Sequence, residues 1–263
     1  MRRTRFCTAC LAAALPAVCA ALALNPAARA SMSYPDVMGS TVVFSDIVES
    51  AAPGDVVPLF GGPTLAGDAL DFSPNASFSA ASLDGGASDQ TDGQLALTIE
   101  AKPGFVIDTI EITEVGFSTL TVAFSGDALT KVESFAVLSV LEVAGGPVAV
   151  PADSLFLDFL PDNIFQHSVD SAGEISFTEQ WTGAGDFDPD GEVTKVALTV
   201  SNNLFAATEG SGTQASASKD NLNIRVTTRE AEDNEIPEPT GVLLMVIGAA
   251  IVGMFGMNKG ANE

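Results

Sequence analysis

Three aspartates in the segment GDFDPDGE have the residue type and spacing to bind a hard cation. Asp186, Asp188 and Asp190 occupy every second position, and Gly191 follows them directly. Carboxylate oxygens gathered on one side of a tight turn are the ligands that Ca²⁺ requires. An EF-hand also needs a glutamate at its twelfth position, where this chain has Ala197. We therefore expect either a Ca²⁺ site at the three aspartates or a plain acidic hairpin loop.

The chain has a single histidine, His167. The sequence identifies no partner residue with which it could form a catalytic or zinc-binding site. Ser168 and Asp170 are its neighbours only along the chain, and no glycine frame typical of a nucleophile elbow surrounds a serine. A zinc site needs further histidine or cysteine ligands. We predict that His167 is a loop or strand-edge residue and that the protein is not an enzyme.

Aromatic residues for a sugar-binding platform are scarce, because the chain has one tryptophan, Trp181, and one tyrosine, Tyr34. A glycosidase also needs two carboxylates at a fixed separation on either side of the scissile bond. Trp181 ends a segment of strand-like sequence, so we expect it in the core or at a sheet edge. A carbohydrate-binding module would instead need an exposed aromatic cluster or a concave acidic groove, so Trp181 and Tyr34 being buried or isolated would count against it.

The charge balance is strongly acidic, with 34 acidic and 11 basic residues and a net charge of −23. Four of the basic residues, Arg2, Arg3, Arg5 and Arg29, lie within the first thirty residues, where no acidic residue occurs. Without that segment the balance is 7 − 34 = −27. A field of this sign repels nucleic acid and anionic lipid and favours solubility. We expect no nucleic-acid partner.

The residues between about 34 and 228 alternate between apolar and polar types in short runs, separated by Gly, Pro, Asp and Asn. In QLALTIE, for example, Leu95, Leu97 and Ile99 share one face. A period of two with frequent turn residues is typical of antiparallel strands. The segment 127–141 also fits a helix, but its β-branched and aromatic residues favour a strand. The predicted strands cover 41–44, 94–100, 105–114, 118–125, 134–143, 154–159, 174–181, 193–201 and 222–228.

This pattern predicts an all-β domain over residues 31–230. Two packed antiparallel sheets are the usual arrangement for so many strands, so we expect a β-sandwich, for which a jelly roll is one form. The segment AEDNE at 231–235 is polar and acidic and reads as a linker.

The N-terminal residues 1–30 have the features of a secretory signal peptide. Three early arginines precede an apolar run, and Ala28 and Ala30 give the small-x-small pattern that favours cleavage before Ser31. All three cysteines (Cys7, Cys10 and Cys19) lie in this segment. The mature chain would therefore lack disulfides and cysteine chemistry.

The C-terminal residues 236–263 join a short polar motif to an uncharged apolar stretch. Pro237, Glu238 and Pro239 precede the run 241–257, and Lys259 follows it. Pro239 disfavours helix at Glu238, so the tripeptide is expected to be extended and readable by an enzyme. A helix over 241–257 would be about 25 Å long, which is close to the ~30 Å of a bilayer core. We expect a transmembrane helix there.

This order of tripeptide, apolar span and basic residue resembles the PEP-CTERM sorting signal. The resemblance implies recognition by exosortase, an integral-membrane transpeptidase that acts near the tripeptide and releases or attaches the protein outside the cell. A lone lysine stands here in place of the arginine cluster common in such tails. The segments 92–116 and 202–226 are also similar to a recurrent group of PEP-CTERM proteins of undetermined function.

Together these features predict an exported, non-enzymatic protein, held transiently in the inner membrane and then placed at the cell surface or outside it. We expect a structural or adhesive role in biofilm or extracellular polysaccharide, with no cofactor other than Ca²⁺. A cell-surface carbohydrate-binding module is the alternative, and a glycan hydrolase is a third hypothesis.

Overall fold

A computed structural model describes residues 29–74, 78–123, 125–169 and 175–232, and every regular element in these ranges is a β-strand. The strands are β1 (Ala30–Ser33), β2 (Val37–Met38), β3 (Val42–Ala51), β4 (Thr64–Ala66), β5 (Ala69–Phe72), β6 (Ser79–Leu83), β7 (Asp89–Ala101), β8 (Phe105–Val122), β9 (Gly126–Val143), β10 (Gly146–Pro147), β11 (Asp153–Phe156), β12 (Asp158–Leu160), β13 (Ile164–Val169), β14 (Ile175–Phe187), β15 (Val193–Glu209) and β16 (Thr213–Glu230).

The strands form two sheets in which the paired strands are antiparallel. The first sheet has the order β1-β3-β7-β15-β9-β10, with β2 against β3 and with β11 and β13 against β9. The second sheet has the order β12-β14-β8-β16-β5-β4, with β6 against β16. The all-β, antiparallel prediction is confirmed, while the jelly-roll form stays a prediction.

One core fills the space between the sheets. Along the long strands every second side chain is buried, as in β15, where Val196, Leu198 and Val200 are fully buried. The buried residues of both sheets form a single hydrophobic cluster, and β16 of the second sheet contacts β15 and β9 of the first. This face-to-face packing is consistent with the predicted β-sandwich.

Successive long strands change sheet through very short connections. Residues 102–104 join β7 to β8, and residues 210–212 join β15 to β16. Three extended residues reach about 10 Å, which matches the usual distance between packed sheets. Gly210 has φ +91° in the second connection, and an added Cβ would lie 2.5 Å from the carbonyl oxygen of Ser125.

The predicted strands 105–114 and 118–125 are one continuous strand, β8. The glycine between them, Gly116, does not break the strand but lies beside Trp181 of β14 on one side and Lys219 of β16 on the other. An added Cβ would overlap the Trp181 ring and the Ser218 carbonyl oxygen. Glycine at this position therefore lets the buried indole lie over the strand.

The predictions for both ends of the chain lie mostly outside the described residues. Residues 1–28, which hold all but the last two residues of the predicted signal peptide 1–30, and 233–263, with the predicted sorting signal, are not described. Ala30 and Ser31 of the predicted cleavage site lie in β1. In the ranges that are described, no helix has the length and apolarity needed to cross a membrane.

We predict that Gly116→Ala lowers the free energy of unfolding by about 1–3 kcal/mol or more, because the new methyl group overpacks against Trp181. Urea unfolding followed by tryptophan fluorescence measures the change. Gly146→Ala is the matched control, since its nearest atom would lie 3.6 Å away, and it should change stability by less than about 0.5 kcal/mol. Equal effects of the two substitutions would contradict this packing.

Candidate functional site

Three charged side chains of the described residues are buried: Glu49, Glu114 and Lys219. Removing a charge from water is unfavourable by several kcal/mol unless partners compensate it. Buried charged residues are therefore candidates for a functional site.

Glu114 and Lys219 point into the core from neighbouring strands of the second sheet. Glu114 continues the inward face that Ile110 and Ile112 begin on β8. On β16 the inward-facing side chains are the odd-numbered residues as far as Lys219 and the even-numbered ones from Leu222. The change occurs at a bulge, where the pairing with β8 shifts between Lys219 and Asn221. A bulge adds one residue and re-aims the side chains beside it. Here it leaves Lys219 as the last inward residue before the shift.

Asn202 and Ser134 face this pair from the first sheet. They lie directly opposite each other on β15 and β9 and are both buried. The Asn202 amide nitrogen Nδ2 donates to Glu114 Oε1 at 2.7 Å and to Ser134 Oγ at 2.7 Å. Ser134 Oγ in turn donates to Glu114 Oε1 at 3.0 Å. We call Glu114, Ser134, Asn202 and Lys219 the intersheet cluster.

The amine and carboxylate of the cluster form a fully buried ion pair. Lys219 Nζ lies 2.8 Å from Glu114 Oε2, and both side chains are 0% exposed. The Nζ–Oε2 contact is an ion pair without aligned hydrogen-bond geometry, and Asn202 Oδ1 has no hydrogen-bond partner among the described residues. Buried polar atoms have hydrogen-bond partners in most folded proteins, so the unpaired Asn202 Oδ1 beside a buried ion pair requires an explanation.

Two phenylalanine rings enclose the amine. Lys219 Nζ lies 5.6 Å from the ring centroid of Phe60 and 5.3 Å from that of Phe78, and the rings meet edge to face at 5.0 Å. Gly93 of β7, the cross-strand neighbour of Asn202, makes room for them, because a Cβ there would lie 3.0 Å from each ring. The amine therefore occupies an apolar aromatic pocket.

This environment changes the protonation of Lys219. Burial disfavours its ammonium form and lowers its pKa to about 8, although the negative charge of Glu114 opposes the shift. A lysine amine becomes a nucleophile when it loses its proton, and a desolvated pocket is one way to achieve this. The cluster thus joins a nucleophilic amine, a carboxylate and a primary amide.

Glu49 supports the aromatic pocket from β3. Its Oε1 accepts the backbone N–H groups of Leu59 and Phe60, the latter at 3.1 Å, and its Oε2 accepts the Tyr34 hydroxyl at 2.7 Å. The carboxylate thereby holds the segment that carries Phe60. Burial, followed by the Glu49 hydrogen bond and charge, raises the pKa of Tyr34 above its usual value.

The aromatic residues considered from sequence do not form a joint surface. Trp181 is 0% exposed and packs against Phe159, so the core prediction for it is confirmed. Tyr34 is half-buried and bound to Glu49. His167 lies in β13, an outer strand paired with β9, and its ring meets Phe177 at 5.9 Å.

The predicted Ca²⁺ ligands Asp186, Asp188 and Asp190 are all exposed, with Asp186 in β14 and the other two after its end. Across the described part of the chain, no group of three or more His, Cys, Asp or Glu residues could hold a metal ion. The three aspartates therefore do not come together as such a group in this structure, and Ca²⁺ binding stays a prediction.

The sequence patterns did not predict the intersheet cluster. Glu114 could have been found, because it falls on the inward face set by Ile110 and Ile112. Lys219 continues the two-residue alternation of Ala215 and Ala217. Alanine has little strand preference, so the sequence of this stretch does not clearly predict a strand. Asn202 looks like an ordinary strand residue until β8 and β15 are placed in opposite sheets.

Comparisons with known proteins leave the family open. No family model and no curated protein matches the chain. Among solved structures, a bacteriophage CBA120 tailspike protein 4 enzymatically active domain is 12% identical, with 76% of this chain and 19% of that chain covered and a TM-score of 0.16. An arabinose-bound MgGH51 α-L-arabinofuranosidase is 14% identical, with coverages of 70% and 23% and a TM-score of 0.15.

A structure of infectious bursal disease virus Gx strain is 11% identical, with coverages of 79% and 60% and a TM-score of 0.12. The chain spans about a fifth of the length of the first two structures. TM-scores this low do not establish a shared fold.

We predict that Tyr34, the only tyrosine of the chain, ionises above its usual pKa of about 10 in the native protein. A rapid pH jump followed by phenolate absorbance measures this pKa. Since folding favours the protonated phenol, its contribution to stability is present below pH ~10 and is lost as the pH rises through the native pKa.

Glu49→Gln should lower that pKa towards the usual value, because it removes the negative hydrogen-bond acceptor. Glu179→Gln on the exposed face of β14 is the control and should leave it unchanged. A native Tyr34 that titrates at the usual value would contradict the Glu49 contact.

Proposed function

We propose that this chain is an exported, non-enzymatic protein of the cell surface or extracellular matrix, sorted by exosortase and acting as a structural or adhesive component. The observation that carries the proposal is the tail, in which Pro237-Glu238-Pro239 and an uncharged span follow the β domain. The last described strand, β16, ends at Glu230, and only six residues, 231–236, separate it from Pro237. A short linker of this kind would present the tripeptide at the membrane surface.

The outer faces of the sheets support a role in surface contact. On the second sheet, exposed hydroxyls pair across neighbouring strands, with Thr119 and Thr178 3.0 Å apart and Thr121 and Ser176 2.9 Å apart. Rows of short polar side chains on neighbouring strands give a surface of hydrogen-bonding groups. Such a surface suits contact with an extended polymer such as extracellular polysaccharide.

A carbohydrate-binding module is the second candidate, and one aromatic pair with an exposed ring favours it. Phe156 of β11 is 72% exposed and lies opposite Phe135 of β9, with ring centroids 4.8 Å apart. Exposed apolar groups on a polar surface commonly mark interaction sites. Trp181 and Tyr34 do not serve this role, because one is buried and the other is bound to Glu49.

We predict that Glu238→Ala prevents C-terminal processing, because it removes the charged centre of the tripeptide. Intact-mass analysis of the chain from exosortase-containing cells should show a shortened wild-type protein and an unshortened variant. Glu235→Ala, three residues upstream, is the matched control and should be processed normally. A wild-type mass that is the same with and without exosortase would refute the sorting proposal.

The carbohydrate-binding candidate predicts that Phe156→Ala reduces retention on immobilised exopolysaccharide from the producing cells by about tenfold, since one lost stacking contact of ~1.4 kcal/mol has this effect. Met38→Ala is the control, because Met38 is 74% exposed but not aromatic. Equal retention of the wild type and both variants would remove this candidate.

A further inference from the structure

The intersheet cluster places an amine, a carboxylate and a primary amide in contact inside the core. One oxygen of Glu114, Oε2, lies 2.8 Å from Lys219 Nζ, and the other, Oε1, lies 2.7 Å from Asn202 Nδ2. A single carboxylate therefore touches both the group able to attack and the group able to leave. This arrangement is the one that general acid–base catalysis of amide exchange requires.

We propose that Lys219 and Asn202 join in an intramolecular amide bond, formed within the folded chain with Glu114 as the catalytic acid and base.

The reaction is balanced without any further reactant. Glu114 takes a proton from the Lys219 ammonium, and the neutral amine attacks Asn202 Cγ to form the Nζ–Cγ bond. Glu114 then returns the proton to Nδ2 as the Cγ–Nδ2 bond breaks, and the second amine proton leaves with the departing group. The products are one secondary amide and one ammonium ion, and Glu114 ends as the carboxylate it was.

The surroundings of the amine favour this reaction. The Phe60 and Phe78 rings exclude water from Nζ, and burial stabilises the neutral amine over the ammonium form. Water exclusion also protects the Asn202 amide from hydrolysis, which would compete with attack by the amine. The pocket thus supports the neutral nucleophile and removes its main competitor.

The product accounts for buried groups that a simple ion pair leaves unexplained. A buried ion pair contributes little net stability, because desolvation offsets the attraction. Here Nζ contacts the Glu114 carboxylate, while Asn202 Oδ1 lacks a hydrogen-bond partner among the described residues. In the amide these atoms become the N–H and C=O of one neutral group, so the buried positive charge disappears. Glu114 and Ser134 then remain as partners for that amide.

The bond would connect the two sheets covalently. Asn202 belongs to β15 of the first sheet and Lys219 to β16 of the second. These two strands follow each other in sequence, and the bond would close a ring over residues 202–219 across the core.

Peptide mass spectrometry of the digested full chain tests the proposal, because cleavage after glutamate places Asn202 and Lys219 in different peptides. Digestion after glutamate cuts at Glu192, Glu209 and Glu230 and separates Asn202 in peptide 193–209 from Lys219 in peptide 210–230. We expect these two peptides to stay joined, with their summed mass reduced by one ammonia. Fragmentation should place the link between Asn202 and Lys219.

Variants assign the roles of the three residues. Lys219→Met and Asn202→Ala should each give two separate peptides. Glu114→Gln keeps the side-chain shape and should slow bond formation by at least ~100-fold, the usual effect of losing an acid–base catalyst. Asn203→Ala is the matched control, since Asn203 is the next residue but contacts Asp92 outside the cluster, and it should remain cross-linked.

The wild-type digest decides the question even if a variant fails to fold. Separate wild-type peptides with unmodified Lys219 and Asn202 would overturn the proposal. A separate peptide 193–209 that is lighter by one ammonia would also overturn it. This mass indicates that an asparagine has cyclised with its own backbone instead of reacting with Lys219. A joined pair that persists in Lys219→Met would assign the link to another residue and equally overturn it.

Discussion

The burial of the Glu114–Lys219 ion pair between the two sheets is the constraint on which the rest of this structure depends. Charge in an apolar core is tolerated only with close partners, so the strands that carry those partners must stay in register. Asn202 and Ser134 come from the opposite sheet, and a bulge on β16 turns the lysine inward. A slip of one residue in any of these strands would turn its side chain outward and leave a buried charge uncompensated.

The proposed amide would suit an exported domain that lacks disulfides. The three cysteines all lie within the predicted signal peptide, so the β domain over residues 31–230 contains no cysteine for a sulfur cross-link. By analogy with disulfides, a covalent link that closes the ring over residues 202–219 would destabilise the unfolded state by roughly 3 kcal/mol, because it lowers the entropy of the unfolded chain. Unlike a disulfide, an amide is not broken by reduction or by thiol exchange.

The alternating pattern predicted the antiparallel strands well where β-branched and large apolar residues dominate, as in 94–100. It missed the first half of β16, because Ala215 and Ala217 are small residues with little strand preference, yet they are fully buried where the sheets pack closely. The intersheet cluster was harder to predict from the sequence than the strands. Glu114, Asn202 and Lys219 are far apart in sequence, and only the pairing of β8 with β16 and the packing of the two sheets bring them together.

The most direct test of the central claim is an NMR spectrum of the full chain labelled with ¹⁵N at the lysine side chains. An amide bond makes one Nζ a secondary amide nitrogen, whose single N–H signal is well separated from those of lysine ammonium groups. One such signal is expected, absent in Lys219→Met and retained after denaturation because the bond is covalent. A spectrum in which every lysine Nζ of the wild-type protein appears as an ammonium or amine signal would contradict it.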